Sequence, residues 1–246
     1  MRATIIVTLF LLTVICEAQT PISKSVNVLP GQRIEMHFDY PNLIQVSTWD
    51  KNEIQVNGMV MINAGENDDR FELTLTSEGG VVSISSRIRD IKSLPQRIFV
   101  IQDGRKIMFK SKAEFRRYKE VNDNNFGMIN CGQDMEIQLE IKVPQQHETF
   151  INSVYGMVEV KDFKGPLKIE ATYGGVDAAL AEKGVGELMA ETNCGQIYSN
   201  LNVRLSGEDV TERDFHTLVS AKPGSGPRYT FESKYGNVYL RKAGDD

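Results

Sequence analysis

Leu167-Lys168-Ile169-Glu170-Ala171-Thr172-Tyr173-Gly174-Gly175-Val176 is one copy of a motif that recurs through the C-terminal half of the chain. Aligned on the paired residues, the copies are Tyr155-Gly156, Tyr173-Gly174, Cys194-Gly195 and Tyr235-Gly236. Small residues stand two places before the Tyr or Cys (Ser153, Ala171, Thr192 and Ser233), and apolar ones three places after it (Val158, Val176, Ile197 and Val238). Tyr155 to Tyr173 spans 18 residues, Tyr173 to Cys194 spans 21, and Cys194 to Tyr235 spans 41. The last interval reads as two turns with a divergent copy between them. A repeat of about 20 residues marks one supersecondary unit used over and over. Each unit has an apolar face that only a neighbour can cover, so the units must stack.

Side-chain alternation turns the repeat into a fold. Leu167, Ile169, Ala171 and Tyr173 share one parity and are expected to point inward together. Past the glycine the parity shifts, so that Val176 and Ala178 face in, and the missing Cβ admits close approach of the next unit. The expected fold class is all-β, a single-stranded β-helix or β-solenoid-like stack of coils, with an antiparallel β-sandwich as the alternative. In that stack Tyr155, Gly156, Tyr173, Gly174, Cys194, Gly195, Tyr235 and Gly236 form a structural ladder.

Period-two patterns also fill the N-terminal half, for example Ile34, Met36, Phe38 and Tyr40. Turn residues such as Pro30-Gly31, Asn57-Gly58 and Gly79-Gly80 divide the runs. One helix is expected over 111–121, where Ser111 and Glu114 form a capping box ahead of Phe115, Tyr118 and Val121. Residues 1–18 read as a secretory signal peptide: Arg2, an apolar run from Ile5 to Ile15, then Cys16 and Ala18 before Gln19. That run is shorter than the roughly 20 residues a bilayer span requires, so no transmembrane segment is expected in the mature chain. Residues 19–246 are expected to form one elongated domain: a strand-rich part over 25–110, the helical insertion, and the repeats over 130–242.

Of the chain's 246 residues, 41% are hydrophobic and 25% charged, with a net charge of −5. The balance is that of a folded protein, and the acidic excess argues against nucleic acid, whose phosphates call for concentrated Lys and Arg. No catalytic motif and no cofactor-binding motif is present. His37, His147 and His216 lack ligand spacing, and Asn63 with Glu66, Asn67, Asp68 and Asp69 reads as a solvated hairpin tip rather than a calcium loop. Three places before the Tyr slot stand Asn152, Glu170, Glu191 and Glu232. If Glu170 and Glu191 lay on adjacent coils, their separation near 5 Å would be that of a retaining glycosidase pair. Four places after the slot, Tyr198 and Tyr239 are expected on the solvent face, a residue type favoured at recognition surfaces. Cys131 and Cys194 share the tetrapeptide Asn-Cys-Gly-Gln and stand 63 residues apart. Three coils would hold them about 14 Å apart, too far for a disulfide. Cys194, in place of an inward tyrosine, is expected to be buried.

At the Tyr-Gly-x-Val copies, the stretch Glu136–Pro144 and the ending Ser233–Leu240, the sequence resembles the putative adhesin family of bacterial exported proteins, a domain of unknown function. The likeness covers residues 25 to 242. It implies a β-helix-like fold and a cell-envelope location, and it carries over no functional residues. Cys194 and the stretch from Gly207 to Arg228 depart from the pattern. The expected function is a non-catalytic envelope module, adhesive or structural, whose partner is an unknown envelope protein or glycan. The alternatives are a polysaccharide-acting enzyme and an exported partner of an envelope-stress sensing system.

Overall fold

Period-two alternation builds the first six strands: β1 (Thr20–Asn27), β2 (Arg33–Phe38), β3 (Leu43–Trp49), β4 (Glu53–Ile62), β5 (Phe71–Glu78) and β6 (Val81–Ile88). In β2, Ile34, Met36 and Phe38 are buried while Arg33 and His37 are exposed. The computed structural model describes residues 19–122, 126–208 and 216–244, and the expected signal peptide lies outside the described residues.

A small unit interrupts the strands. It consists of β7 (Arg97–Gln102), β8 (Arg105–Phe109), α1 (Lys112–Val121) and β9 (Met128–Gly132). The strands pair antiparallel in the order β8-β7-β9. They carry a core of their own, Ile98, Val100 and Phe109, covered by Phe115, Tyr118 and Phe126. The Ser111 hydroxyl accepts from the Glu114 N–H at 3.2 Å, and the Glu114 carboxylate accepts from the Lys110 N–H at 2.7 Å. The helix therefore starts where its capping residues place it, but it comes with three strands. Cys131, on β9, lies in this unit and not in register with Cys194, which corrects the three-coil spacing. Both cysteines are exposed and unpaired.

The chain then runs through β10 (Met135–Pro144), β11 (Thr149–Ser153), β12 (Met157–Val160), β13 (Leu167–Ala171), β14 (Val176–Leu180), β15 (Glu187–Thr192) and β16 (Ile197–Ser199). It closes with β17 (Ser206–Glu208), β18 (Thr217–Ala221), β19 (Arg228–Ser233) and β20 (Val238–Lys242). Two long sheets result, in the orders β1-β4-β10-β3-β12-β14-β20-β16 and β17-β18-β15-β19-β13-β11-β2-β6-β5. Both are open and mixed: the middle strands are parallel, and β1, β4, β5, β17 and β18 pair antiparallel toward the ends. From β10 to β16, and again from β19 to β20, the chain changes sheet at every connection. The inner faces share one core, with Met36, Ile151, Ile169 and Phe231 from one sheet and Val46, Ile141, Val158 and Leu240 from the other. Parallel strands with covered inner faces read as apolar on that side and polar on the other.

Order in space departs from order in sequence. The last strand pair, β19 and β20, lies between β13–β14 and β15–β16 in both sheets. The 41-residue interval is therefore not two further turns. Within it β17 and β18 form an antiparallel pair that extends one sheet edge, β18 lying antiparallel to β15. Lys222 to Gly226 are exposed, whereas Asp209, Glu212 and Asp214 lie outside the described residues. The Asn63 loop is also tighter than a solvated tip. Asn63 is fully buried, and its side chain donates to the Pro95 carbonyl at 3.1 Å. The Asp68 carboxylate accepts from the Ile62 N–H and the Thr20 hydroxyl, each at 2.6 Å.

Candidate interaction surface

In the second sheet β11, β13, β15 and β19 each end on the small residue of the motif, and the chain bends over the next three residues. Ser153 and Ser233 are buried, and their hydroxyls donate to the carbonyls of Gly156 and Gly174 at 3.1 and 2.9 Å. Ser233 also accepts from the Gly236 N–H at 2.9 Å, and Thr192 from the Gly195 N–H at 3.0 Å. The bend breaks the alternation before the tyrosine and not after the glycine. Tyr155 and Tyr173 are consequently 56% exposed and Tyr235 46% exposed, which corrects the inward placement expected for this slot. Cys194 is exposed for the same reason.

The glycines fill the other side of the bend. A Cβ on Gly156 would lie 2.1 Å from the Pro41 carbonyl oxygen, one on Gly174 2.0 Å from that of Gly156, one on Gly236 2.0 Å from that of Gly174, and one on Gly195 2.0 Å from that of Gly236. Backbones approach too closely there for any side chain. This closeness lines up the rings outside. Tyr155 stacks on Tyr173 and Tyr173 on Tyr235, each with centroids 5.2 Å apart, at 11° and 10°. Tyr40 joins at 5.9 Å from Tyr155, and burial, with the nearby Asp39 and Tyr155, raises its phenol pKa. Tyr40 is a ladder member that the Tyr-Gly motif does not reveal, because Pro41 stands where the other copies carry Gly and Phe38 where they carry a small residue; its signal is the alternation Ile34, Met36, Phe38 that leads up to it. Cys194 follows Tyr235, its N–H donating to the Lys234 carbonyl at 3.0 Å.

Beside this row, on the outer face of the same sheet, run Asn152, Glu170, Glu232 and Glu191 in that spatial order. Glu170 and Glu191 are not neighbours, since Glu232 separates them by two strand spacings, and the expected carboxylate pair is corrected accordingly. Lys168 bridges Glu170 at 2.7 Å and Glu232 at 3.2 Å. The Glu170 hydrogen bond raises the Lys168 pKa, helped by Glu232 and opposed by burial. His216 reaches Glu191 at 2.7 Å. A depression of about 220 Å³ lies among these carboxylates, Asn193 and Lys234. On the outer face of the first sheet, Tyr198 stacks on Tyr239 at 5.2 Å and 11°. Arg241 lies over Tyr239 at 5.7 Å and grips Asp177 at 2.7 and 2.6 Å.

No family model matches the chain, and no curated protein matches it. Solved structures similar to it include a putative cell adhesion protein from Clostridium sporogenes, 10% identical, which covers 91% of this chain and 100% of its own at a TM-score of 0.41. A putative adhesin from Bacteroides fragilis is 10% identical over 92% of this chain and 98% of its own, with a TM-score of 0.22. A putative lipid binding protein from Parabacteroides distasonis is 12% identical over 90% and 96%, with a TM-score of 0.24.

Two chemical properties follow from the surface itself. Stacking uses the faces of the tyrosines, so an incoming molecule meets ring edges and hydroxyls in a line rather than a platform. Two of the carboxylates beside them, Glu170 and Glu232, are paired with Lys168. Among the described residues no cluster of His, Cys, Asp and Glu is arranged to hold a metal, and no helix is long and apolar enough to cross a membrane.

Proposed function

We propose that the chain is an exported, non-catalytic module of the cell envelope, adhesive or structural. On this reading its repeats form a solenoid-like stack that presents the tyrosine row to an envelope glycan or protein. The observation that carries the proposal is the row itself: Tyr155, Tyr173 and Tyr235 remain about half exposed while stacked. Tyrosines bury much area at little entropic cost and are enriched where proteins recognise partners. A line of hydroxyls at a regular spacing suits an extended partner with repeating polar groups. Export rests on the reading of residues 1–18 as a signal peptide.

The test is co-sedimentation of residues 19–246 with insoluble bacterial envelope fragments. Replacing Tyr155, Tyr173 and Tyr235 by Phe keeps the rings and removes the hydroxyls, and should lower the pelleted fraction about ten-fold if the row is a binding hot spot. Equal pelleting of that variant and the natural sequence would overturn the reading. Release of reducing ends from the same fragments, abolished by Glu232→Gln, would replace it with a hydrolytic one.

A further inference from the structure

The last strand pair is a wedge. β16 pairs with β20 alone, and β15 reaches the rest of its sheet through β19, so among the described residues all sheet pairing between 187–221 and the main body passes through residues 228–242. The wedge fits on both sides. Phe231 is fully buried between Ile169 and Ala190, Tyr235 stacks on Tyr173, and Gly236 sits against Gly174 on one side and Gly195 on the other. At the opposite bend Gly226 packs between Gly184 and Gly186, and the Pro227 carbonyl accepts from the Gly186 N–H at 3.0 Å.

What joins the wedge to β18 is Lys222-Pro223-Gly224-Ser225-Gly226, exposed throughout. Ala221 lies beside Leu188 on one flank of β15, and Arg228 lies beside Glu187 on the other. The connection therefore crosses two strand spacings, about 9.6 Å. Its contacts are with residues 184–187 at that end of the molecule: Gly226 lies against Gly184, the Pro227 carbonyl accepts from the Gly186 N–H, and Lys222 pairs with Glu187 at 3.6 Å.

From this we infer that the slot between β13–β14 and β15–β16 is a strand-acceptor site, and that a second copy of this chain can fill it by exchanging residues 228–242. Every contact of the wedge is the same whether it comes from its own chain or from the other, so only the connection and the association entropy distinguish the two states. Donating a strand to a vacant slot is an established mode of recognition. The exchange is reciprocal, giving a closed two-fold dimer, and it stands apart from whatever the tyrosine row binds.

Shortening the connection separates the two states. Deleting Pro223 to Pro227 leaves two Cα–Cα links between Ala221 and Arg228, a reach of about 7 Å against the 9.6 Å or so required. A reporter is available because Tyr235→Cys places a thiol one strand spacing from Cys194, about 4.8 Å and within disulfide range. In a Cys131→Ser background, the full-length connection should give an intrachain bond and a monomer on a non-reducing gel. The shortened chain should give an interchain bond and a covalent dimer that reduction splits. A covalent monomer from the shortened chain overturns the proposal. Should that chain prove insoluble, the full-length reporter refolded over a range of concentrations decides: interchain bonds rising with concentration support exchange, and intrachain bonds alone at every concentration overturn it.

Discussion

An alanine at Gly174 would put its Cβ 2.0 Å from the Gly156 carbonyl oxygen, and the atom in the way is backbone that also belongs to a neighbouring bend. Relief would require parting two strands. We expect Gly174→Ala to cost more than about 3 kcal/mol, the upper end of overpacking penalties. Gly132→Ala, where nothing lies within 4 Å, should stay within about 0.5 kcal/mol. Urea midpoints of the two variants check this directly. The hydroxyls behind the bends act on a smaller scale. Ser233→Ala removes a donor to the Gly174 carbonyl and an acceptor for the Gly236 N–H, both at 2.9 Å and at a buried position. The loss should be about 1–3 kcal/mol in the same assay. Ala171 already occupies the equivalent slot, so the bend itself survives without the hydroxyl.

The small inserted unit should respond on its own, because Ile98, Val100 and Phe109 form a cluster separate from the main core. Phe109→Ala is expected to speed amide exchange across 97–132 while amides in β13 keep their protection. Glu66 links this unit to the main body, reaching Arg97 and Lys110, each at 2.5 Å. Its pKa is lowered, first by the Lys110 hydrogen bond, with Arg97 contributing and burial opposing. A depressed carboxylate stabilises fully above its unfolded pKa of about 4.3 and loses that contribution as pH falls through the lower folded value. Protection factors in this unit, with each rate taken relative to the intrinsic rate at the same pH, should thus fall on going from about pH 6 to about pH 3, and Glu66→Gln should flatten the dependence. Strand alternation and the Ser111 cap made most of these elements legible in the sequence, since both are local. Two features were not legible. The parity of Leu167, Ile169 and Ala171 does not extend to Tyr173, because β13 ends at Ala171 and alternation does not mark where a strand ends. β7 and β8 fall within the strand-rich part expected over 25–110 and most of β9 within the repeats expected over 130–242, because pairing of Ile98 with both Phe109 and Cys131 is a tertiary fact.

At the scale of the whole molecule the spatial order, not the repeat, decides how the chain must assemble. The spacing of 18, 21 and 41 residues shows that units recur, but not which unit neighbours which. Register and the glycine contacts place Gly236 between Gly174 and Gly195. Both flanks of the wedge, β13–β14 and β15–β16, precede it in the chain, and its two-sided pairing is complete only when both are in place. Loop closure delays such non-local contacts further, so β19 and β20 should join after the folding transition state. Phe231 is the probe, as it is fully buried within the wedge. Phe231→Ala should destabilise by about 3–5 kcal/mol. With a φ value near zero, nearly all of that should appear as faster unfolding and little as slower folding. Ile151, equally buried on β11 and flanked by β2 and β13, should behave differently. Ile151→Val is expected to slow folding, because β2, β11 and β13 stack before the wedge can enter. Chevron plots of both variants measure the two limbs. A folding limb slowed by Phe231→Ala in proportion to its destabilisation would show that the wedge forms with its neighbours and not after them.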